Sequence, residues 1–395
     1  MAVEIRRAVQ DDLPQLYALD YRNFGVTDLP TEQELAEDML DPDRFLVAFD
    51  GGDMVAAGGS FQMELTVPGS GPDNGAFLPM SGVTWVSVAA SHRRQGILRR
   101  LMGGLDEMAV ELEEPILGLT ASEGAIYERF GYGVATRSRV IELDRRRAQI
   151  DPKWEPEPVR LIEGSKHVEE LQALFERYRP TQVGEVSRPD ALFREQNIEK
   201  DKANFAAIHP DGYATWETQP DWAYGHPRHV LTIRDFVAVT PEARIALWNI
   251  LLSIDLVGPI RSIRSVALDD SLPFMLTDPR ALRTIESNDF LWLKTLDAAR
   301  CFEARSFRTD DRLVIDIRDG ADDPVERIAI SSASCGPTDE PADIVAYRSA
   351  LGPLLLGVHA SHLAAGRRLA GDHEIIERAD LMLGTGRLAH CRTSF

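Results

Sequence analysis

The basic, glycine-containing segment Arg93-Arg94-Gln95-Gly96 has residue types suited to binding a phosphate. It follows the β-branched and aromatic run 83–88, which predicts a buried strand. After it, apolar residues recur at helical spacing from Leu98 to Leu112 and predict an amphipathic helix. The unpaired N–H groups and dipole at such a helix start favour an anion, and Gly96 allows a phosphate to approach the backbone. We therefore expect an anion-binding turn here, to which Arg99 adds charge.

Two common phosphate-binding loops are excluded at this turn. The dinucleotide fingerprint G-x-G-x-x-G is missing, and no Lys-Ser/Thr pair follows a glycine. An ordinary strand–turn–helix with solvated arginines remains the alternative. The spacing Arg93-x-x-Gly96-x-Leu98 resembles the acetyl-CoA pyrophosphate turn of GNAT-type N-acetyltransferases, Q/R-x-x-G-x-G/A, although Leu98 replaces the last small residue.

A second motif spans 122–133 and is similar to the Tyr-x-x-x-Gly-Phe segment of the same superfamily. Its form, TASEGxIYxRFGYG, resembles the Eis (enhanced intracellular survival) family of multi-site aminoglycoside N-acetyltransferases. The two motifs together cover residues 86–133.

The resemblance implies acetyl-CoA as co-substrate, and it implies which positions bind it. These are the backbone of Val86, Ser87 and Val88, the turn Arg93, Arg94, Gln95, Gly96, Ile97, Leu98 and Arg99, and then Ser122 and Glu123. The first helices wall the acceptor site in GNAT folds, so the candidates for binding a polyamine are Asp28, Glu32, Glu37 and the apolar Trp85. The alternative for each acid is an exposed position on a helix.

Acetyl transfer from a thioester to an amine requires a base for the ammonium, donors for the carbonyl oxygen and a proton for the departing thiolate. Tyr127 is a suitable proton donor, because a phenol has a pKa of about 10. In Eis-like enzymes the matching tyrosine is the general acid and the chain-terminal carboxylate, here that of Phe395, is the general base. An α-carboxyl has a pKa of about 3.5 in water, so burial would have to raise it. A core tyrosine and a disordered tail are the alternatives.

The element order over residues 1–150, β-α-α-β-β-β-α-β-α-β, is the GNAT order, closed by a strand at 137–143. Prolines at 152, 156 and 158 mark a boundary. Residues 151–295 repeat the α/β rhythm without an Arg-x-x-Gly turn. The resemblance to Eis proteins implies that they form a second, degenerate GNAT fold. Residues 296–395 resemble the sterol-carrier-type α+β domain of Eis proteins, with its terminus entering the active site. The predicted class is α/β (α+β).

Length, charge and cysteine content limit the remaining possibilities. A chain of 395 residues is too long for one core, and 43 basic against 63 acidic residues give a net charge of −20. This charge disfavours nucleic acid and anionic membranes and favours cationic ligands, although solubility alone could explain it. No apolar run approaches ~20 residues and no signal sequence is recognised, so we expect a cytoplasmic protein. The three separated cysteines and the His226-x-x-His229 pair predict neither disulfides nor a metal site.

The favoured function is an acetyl-CoA-dependent N-acetyltransferase that acts by direct transfer on small multi-amine substrates such as aminoglycosides. The alternatives are a protein lysine or N-terminal acetyltransferase, a lipid or sterol carrier through the C-terminal domain, and an inert scaffold. The family resemblance also implies a homohexamer.

Overall fold

The structure is a computed structural model that describes residues 3–25, 40–70, 74–198, 204–320 and 323–395. The predicted second helix near 31–39 and the acceptor candidates Asp28, Glu32 and Glu37 lie outside the described residues. The elements of the first region are β1 Glu4–Arg7, α1 Leu13–Phe24, β2 Phe45–Asp50, β3 Asp53–Val67, β4 Ala76–Val88, α2 Ile97–Glu111, β5 Ile116–Thr120, β6 Gly133–Val134 and β7 Arg137–Asp144.

Two further regions follow along the chain. The second contains β8 Arg160–Glu163, α3 Val168–Tyr178, α4 Asp190–Asn197, β9 Phe205–His209, β10 Gly212–Gln219, β11 Trp222–Ala223, β12 His226–Pro227, β13 His229–Ala238, α5 Pro241–Ser253, β14 Val257–Ser262, α6 Leu272–Met275, β15 Leu282–Asp289 and β16 Leu291–Thr295. The third contains α7 Ala298–Glu303, β17 Arg312–Gly320, β18 Asp323–Ser331, β19 Cys335–Pro337, β20 Ile344–Tyr347, α8 Arg348–Leu355, α9 Ala360–Ala365, β21 Leu369–Gly371 and α10 His373–Leu383.

The first two sheets exchange strands. The first has the order β1-β2-β3-β4-β5-β16-β6, so a late strand lies between β5 and β6. The second has the order β15-β7-β14-β13-β10-β9-β8. The expectation that the strand at 137–143 closes the first sheet was therefore wrong. Its Ile141 and Leu143 side chains are buried in the core of the second sheet, which holds the strand there.

Helices cover both faces of the first sheet. On one face, α1 packs through Leu13 and Leu16 into a core that continues into the third region. On the other face, α2 buries the predicted apolar stripe, including Leu101 and Leu105. The sheet is thereby held between two layers, and its central strands β4 and β5 are fixed in position.

The third region forms a sheet of order β19-β18-β17-β20-β21. After α10 the chain leaves this sheet and runs back between the first two. Leu388 N–H donates to Asp269 and His390 N–H donates to the carbonyl of Val183. No helix among the described residues is long and apolar enough to cross a membrane.

Candidate active site

A cleft opens where the two central parallel strands of the first sheet separate. β4 pairs with β5 only from Met80 to Gly82, although β4 itself continues to Val88. The divergence creates a cleft of about 460 Å³. Of the residues selected from the sequence, those that line it are Trp85, Val86, Ser122, Tyr127 and Phe395. The turn at 93–99 lies farther along the chain, just beyond the end of β4.

A β-bulge in β4 directs Trp85 into this cleft. Thr84 pairs with Gly59 and Ser87 pairs with Ala57, so Trp85 and Val86 together oppose one residue of β3. Trp85 has φ +53°, in the left-handed region that side chains seldom adopt. Its ring packs edge-on against Tyr17, with centroids 4.7 Å apart. The bulge thus makes the Trp85 ring part of the cleft lining.

The basic turn has the geometry of an anion site. Arg94 and Gly96 have φ values of +63° and +78°, and α2 begins directly after Gly96 with no capping side chain. A Cβ added to Gly96 would meet no atom within 4 Å, so the space above its backbone is open. The first N–H groups of a helix have no intrahelical partner and are free for an anion. Arginine side chains are exposed around them at Arg93, Arg94 and Arg99.

The other positions expected to bind the cofactor differ in which of their atoms are accessible to a ligand. The Ile97 side chain is buried in the core, so only its backbone can face a ligand, and Leu98 is half-buried, whereas Gln95 is exposed. The backbone of Val86 and Val88 has no partner from β5 in the described chain. The Ser87 side chain is engaged, because Asn23 Nδ2 donates to its Oγ at 3.0 Å. This set fits a diphosphate at the turn and an extended arm along β4.

Tyr127 is buried at the base of the cleft. It precedes a 3-10 turn, Glu128–Phe130, and its ring lies edge-on to Tyr132 with centroids 6.0 Å apart. Burial raises the pKa of the Tyr127 phenol, and the negative charge of the exposed Glu123 raises it further. The phenol therefore keeps its proton at neutral pH and is available as a donor.

The chain end reaches the same cleft. Thr120, the last residue of β5, donates from Oγ1 to a terminal oxygen of Phe395 at 2.9 Å. The Gln196 side-chain amide donates to the carbonyl of Ser394. A Cβ on Gly82 would lie 2.3 Å from Met63 Sδ and 3.2 Å from the Phe395 ring, so a glycine at the strand divergence leaves room for both side chains.

A buried polar network from the second region anchors the tail. Glu185 accepts from Thr393 Oγ1 at 2.7 Å and forms an ion pair with Arg392 at 3.2 Å. Arg188 donates to Thr393 at 2.8 Å and to Asp235 at 2.5 Å. Burial opposes ionisation of Asp235, but Arg188 and Arg392 outweigh it and hold the pKa of this carboxyl below its usual value. The tail is thus fixed by paired charges shielded from water.

Three charged residues of the cleft were missed in the sequence analysis: Asp20, Arg264 and Asp289. Burial raises the pKa of Asp20 to about 6, against a weaker opposing effect of its hydrogen bond with Ser87. A signal for Asp20 existed, because it continues the helical stripe of Leu13, Leu16 and Tyr17. An acid on an apolar stripe points to a function for its carboxylate.

In the segment His226-x-x-His229, the second histidine has local partners. His229 Nδ1 accepts from the Asp221 N–H at 3.0 Å, and its ring contacts Trp222. Among the described residues no group of three potential ligands is placed to hold a metal ion.

Comparisons with known proteins identify the domains and the family. Residues 4–135 and residues 184–295 each match a model described as an acetyltransferase (GNAT) domain. The chain is 32% identical to the N-acetyltransferase Eis of Mycobacterium tuberculosis, over 96% of each chain. It is 31% identical to an uncharacterized N-acetyltransferase of Streptomyces griseus over the full length of both.

Two solved structures resemble this one over the whole chain. The crystal structure of Eis1 from Mycobacterium abscessus superposes with a TM-score of 0.88 at 29% identity, with complete coverage of both chains. A GCN5-related N-acetyltransferase from Anabaena variabilis, at 16% identity and a TM-score of 0.85, shares the fold. GNAT acetyltransferases use acetyl-CoA, and two GNAT domains precede the third sheet here. The chain is an acetyltransferase, and it belongs to the Eis family of N-acetyltransferases.

Proposed function

We propose that this enzyme transfers acetyl directly from acetyl-CoA to primary amines of polycationic acceptors such as aminoglycosides. Tyr127 acts as the general acid and the terminal carboxylate of Phe395 as the general base. The observation that carries the proposal is that the buried phenol and the anchored chain end line one cleft at the divergence of β4 and β5.

Acetyl-CoA supplies the acetyl group as an activated thioester. Arg93, Arg94 and Arg99, with the N–H groups that follow Gly96, bind its diphosphate, while the backbone of β4 after Gly82 aligns its arm. Ser122 lines the cleft, and the exposed Gln95 and Glu123 are further proposed contacts of the cofactor. This arrangement brings the thioester to Tyr127.

The proton balance assigns a task to each catalytic group. The ammonium of the acceptor loses a proton to the Phe395 carboxylate, and its nitrogen then bonds to the acetyl carbon as the carbon–sulfur bond breaks. Tyr127 donates its proton to the departing sulfur. The new amide nitrogen loses a second proton, which restores the phenol, and the first passes to solvent.

Acidic groups in the cleft support a cationic acceptor. Asp20 and Asp289 line it beside the terminal carboxylate, and the chain as a whole carries a charge of −20. A cationic substrate is attracted to such a cleft over several ångströms. Asp20 has no cation partner among the described residues, and we propose that it binds a second ammonium of the acceptor.

The third region is less suited to carrying a lipid. The inward-facing residues of its sheet, such as Ile315 and Ile330, are fully buried in an apolar core.

We further propose a cytoplasmic homohexamer, based on the family; light scattering of the purified protein measures the oligomer.

Acetyl-CoA turnover with kanamycin and with a lysine peptide tests the proposal. We expect Tyr127→Phe to lower kcat by about a hundredfold or more while coenzyme A binding is retained. Tyr132→Phe is the matched control, because Tyr132 is the ring neighbour but does not line the cleft. Deletion of Phe395 should lower kcat as much as Tyr127→Phe does. Phe395→Leu, which keeps the terminal carboxylate in place, should retain much of the wild-type kcat.

Two results would contradict the proposal. Equal rates for Tyr127→Phe and Tyr132→Phe would remove the phenol from catalysis. Turnover of the peptide without turnover of kanamycin would replace aminoglycosides by protein lysines as the acceptor.

A further inference from the structure

Arg264 is a cation in an acceptor cleft that is otherwise acidic. It follows β14 of the second region and lines the cleft together with Phe290 and Phe395. Its guanidinium carbon lies 5.3 Å from the centre of the Phe290 ring. Its backbone carbonyl accepts from His390 Nε2 at 2.8 Å. Hydrogen bonding to the anchored tail thus holds the loop, and with it Arg264, at the cleft.

The Arg264 guanidinium has no carboxylate within 4 Å in the described part of the chain. The other charged side chains of the cleft have different partners: Asp289 accepts from Trp292 Nε1 at 2.6 Å, and Asp20 is hydrogen bonded to Ser87. Burial lowers the pKa of Arg264, which reflects the cost of keeping an unpaired cation there. An anion brought in by a ligand would offset that cost.

A polycationic acceptor offers no negative charge to pair with the Arg264 guanidinium. Their ammonium groups can pair with Asp20 and the terminal carboxylate, but Arg264 repels them at short range. A carboxylate, in contrast, matches the planar fork of a guanidinium with two parallel hydrogen bonds. The cleft therefore offers complementary charge to a molecule that carries both an amine and an acid.

We propose that Arg264 is a specificity-determining residue that binds a carboxylate of the acceptor. Amines that carry a nearby carboxylate are then better substrates than purely cationic amines of similar length. This inference rests on the proposed transfer to an amine in the same cleft.

Lysine and lysinamide form a matched pair of acceptors that differ only in the carboxylate. The measurement is the ratio of their kcat/KM values with acetyl-CoA for wild type, Arg264→Gln and Arg264→Lys. Arg261→Gln is the control, because Arg261 is exposed near Arg264 and pairs with Glu142. A ratio of two substrates on one variant is insensitive to losses of folded protein.

We expect wild type and Arg261→Gln to prefer lysine by about tenfold or more, which is the usual effect of a charge-assisted hydrogen bond. The preference should vanish in Arg264→Gln and be partly kept in Arg264→Lys, while kcat/KM for kanamycin rises in Arg264→Gln. No preference in wild type, or an unchanged preference in Arg264→Gln, overturns the proposal.

Calorimetric binding of the two acceptors to the enzyme saturated with coenzyme A separates this inference from the transfer chemistry. If neither acceptor is acetylated but lysine binds more tightly and Arg264→Gln abolishes the difference, the anion subsite stands and the proposed acceptor chemistry fails. If lysine binds no more tightly than lysinamide, the proposal of an anion subsite is contradicted, whatever the rates of acetylation are.

Discussion

The two GNAT domains begin the helix after their long central strand in different ways. In the first, α2 follows Gly96 in the left-handed conformation, has no capping side chain and is surrounded by exposed arginines. In the second, Thr240 accepts from the Ala243 N–H at 3.2 Å and Pro241 occupies the first turn. A helix start capped by its own chain leaves fewer donors for a ligand. The helix start of the first domain therefore has more free donors for the proposed anion than that of the second.

The strand divergences of the two domains also differ. In the first, β4 separates from β5 after Gly82 and the gap is the cleft. In the second, β13 pairs with β14 as far as Ile233, and Asp235, two residues later, is buried with Arg188 and the tail residue Arg392. The same architecture thus forms the proposed substrate cleft in one domain and the tail anchor in the other.

The largest expected effect comes from breaking the anchor. Glu185→Gln removes a fully buried charge that faces Arg392, and the free energy of unfolding should fall by about 3 kcal/mol or more. The kcat value should fall as well, because the terminal carboxylate loses its position. Denaturant unfolding and acetyl-CoA turnover measure both.

Glu217→Gln is the control for this anchor, since its pair with Arg234 is partly exposed and should contribute less than about 1 kcal/mol. If Glu185→Gln were no more destabilising than Glu217→Gln, or kept full kcat, the anchor would have no role in placing the tail.

The next effect concerns Asp20 in the open cleft of the first domain. Because its pKa is about 6 when folded and 3.8 ordinarily, the folded state binds more protons, and its ionisation lowers stability as the pH rises from about 4 to 6. Asp20→Asn should therefore raise the free energy of unfolding at pH 7.5 by about 1 to 2 kcal/mol after allowance for partial exposure.

The increase in the free energy of unfolding of Asp20→Asn should vanish below about pH 4. The KM of this variant for kanamycin should rise. Asp11→Asn, at an exposed position just before α1, is the control. Thermal unfolding across this pH range measures the effect, and a loss of stability at pH 7.5 would contradict the account.

The smallest effect concerns the capped helix of the second domain. Thr240→Ala should lower the free energy of unfolding by about 1 kcal/mol through loss of the cap and leave coenzyme A affinity unchanged. Ser253→Ala, at the exposed end of the same helix, should change little. Any change of coenzyme A affinity in Thr240→Ala would mean that the second domain contributes to binding.

The sequence predicted well those features that depend on local pattern. The helical stripe of α2 and the glycine at its start have local signatures, and both are present in the structure. The short helix that the predicted order requires before the strand at 137–143 is only a 3-10 turn, Glu128–Phe130, in the structure. The exchange of β7 and β16 could not be predicted in this way, because a half-buried strand has the same pattern in either sheet.

The chemistry of the cleft was only partly predictable. Tyr127 and Phe395 were selected through motifs and family resemblance. Arg264 lies in a loop of the second domain, and its position depends on contacts with the distant tail residue His390. The partners that anchor Arg392, such as Glu185, are about two hundred residues away along the chain, so no local spacing could indicate them.

Calorimetric titration with coenzyme A tests the central claim most directly: the uncapped, arginine-rich helix start of the first domain binds the cofactor. The account predicts one site per chain, weakened about tenfold or more in the double variant Arg93→Gln, Arg94→Gln. The double variant Arg146→Gln, Arg147→Gln, which removes the same charge from exposed positions outside the turn, should bind as wild type does. Unchanged affinity in the turn variant, or two sites per chain, would contradict the account.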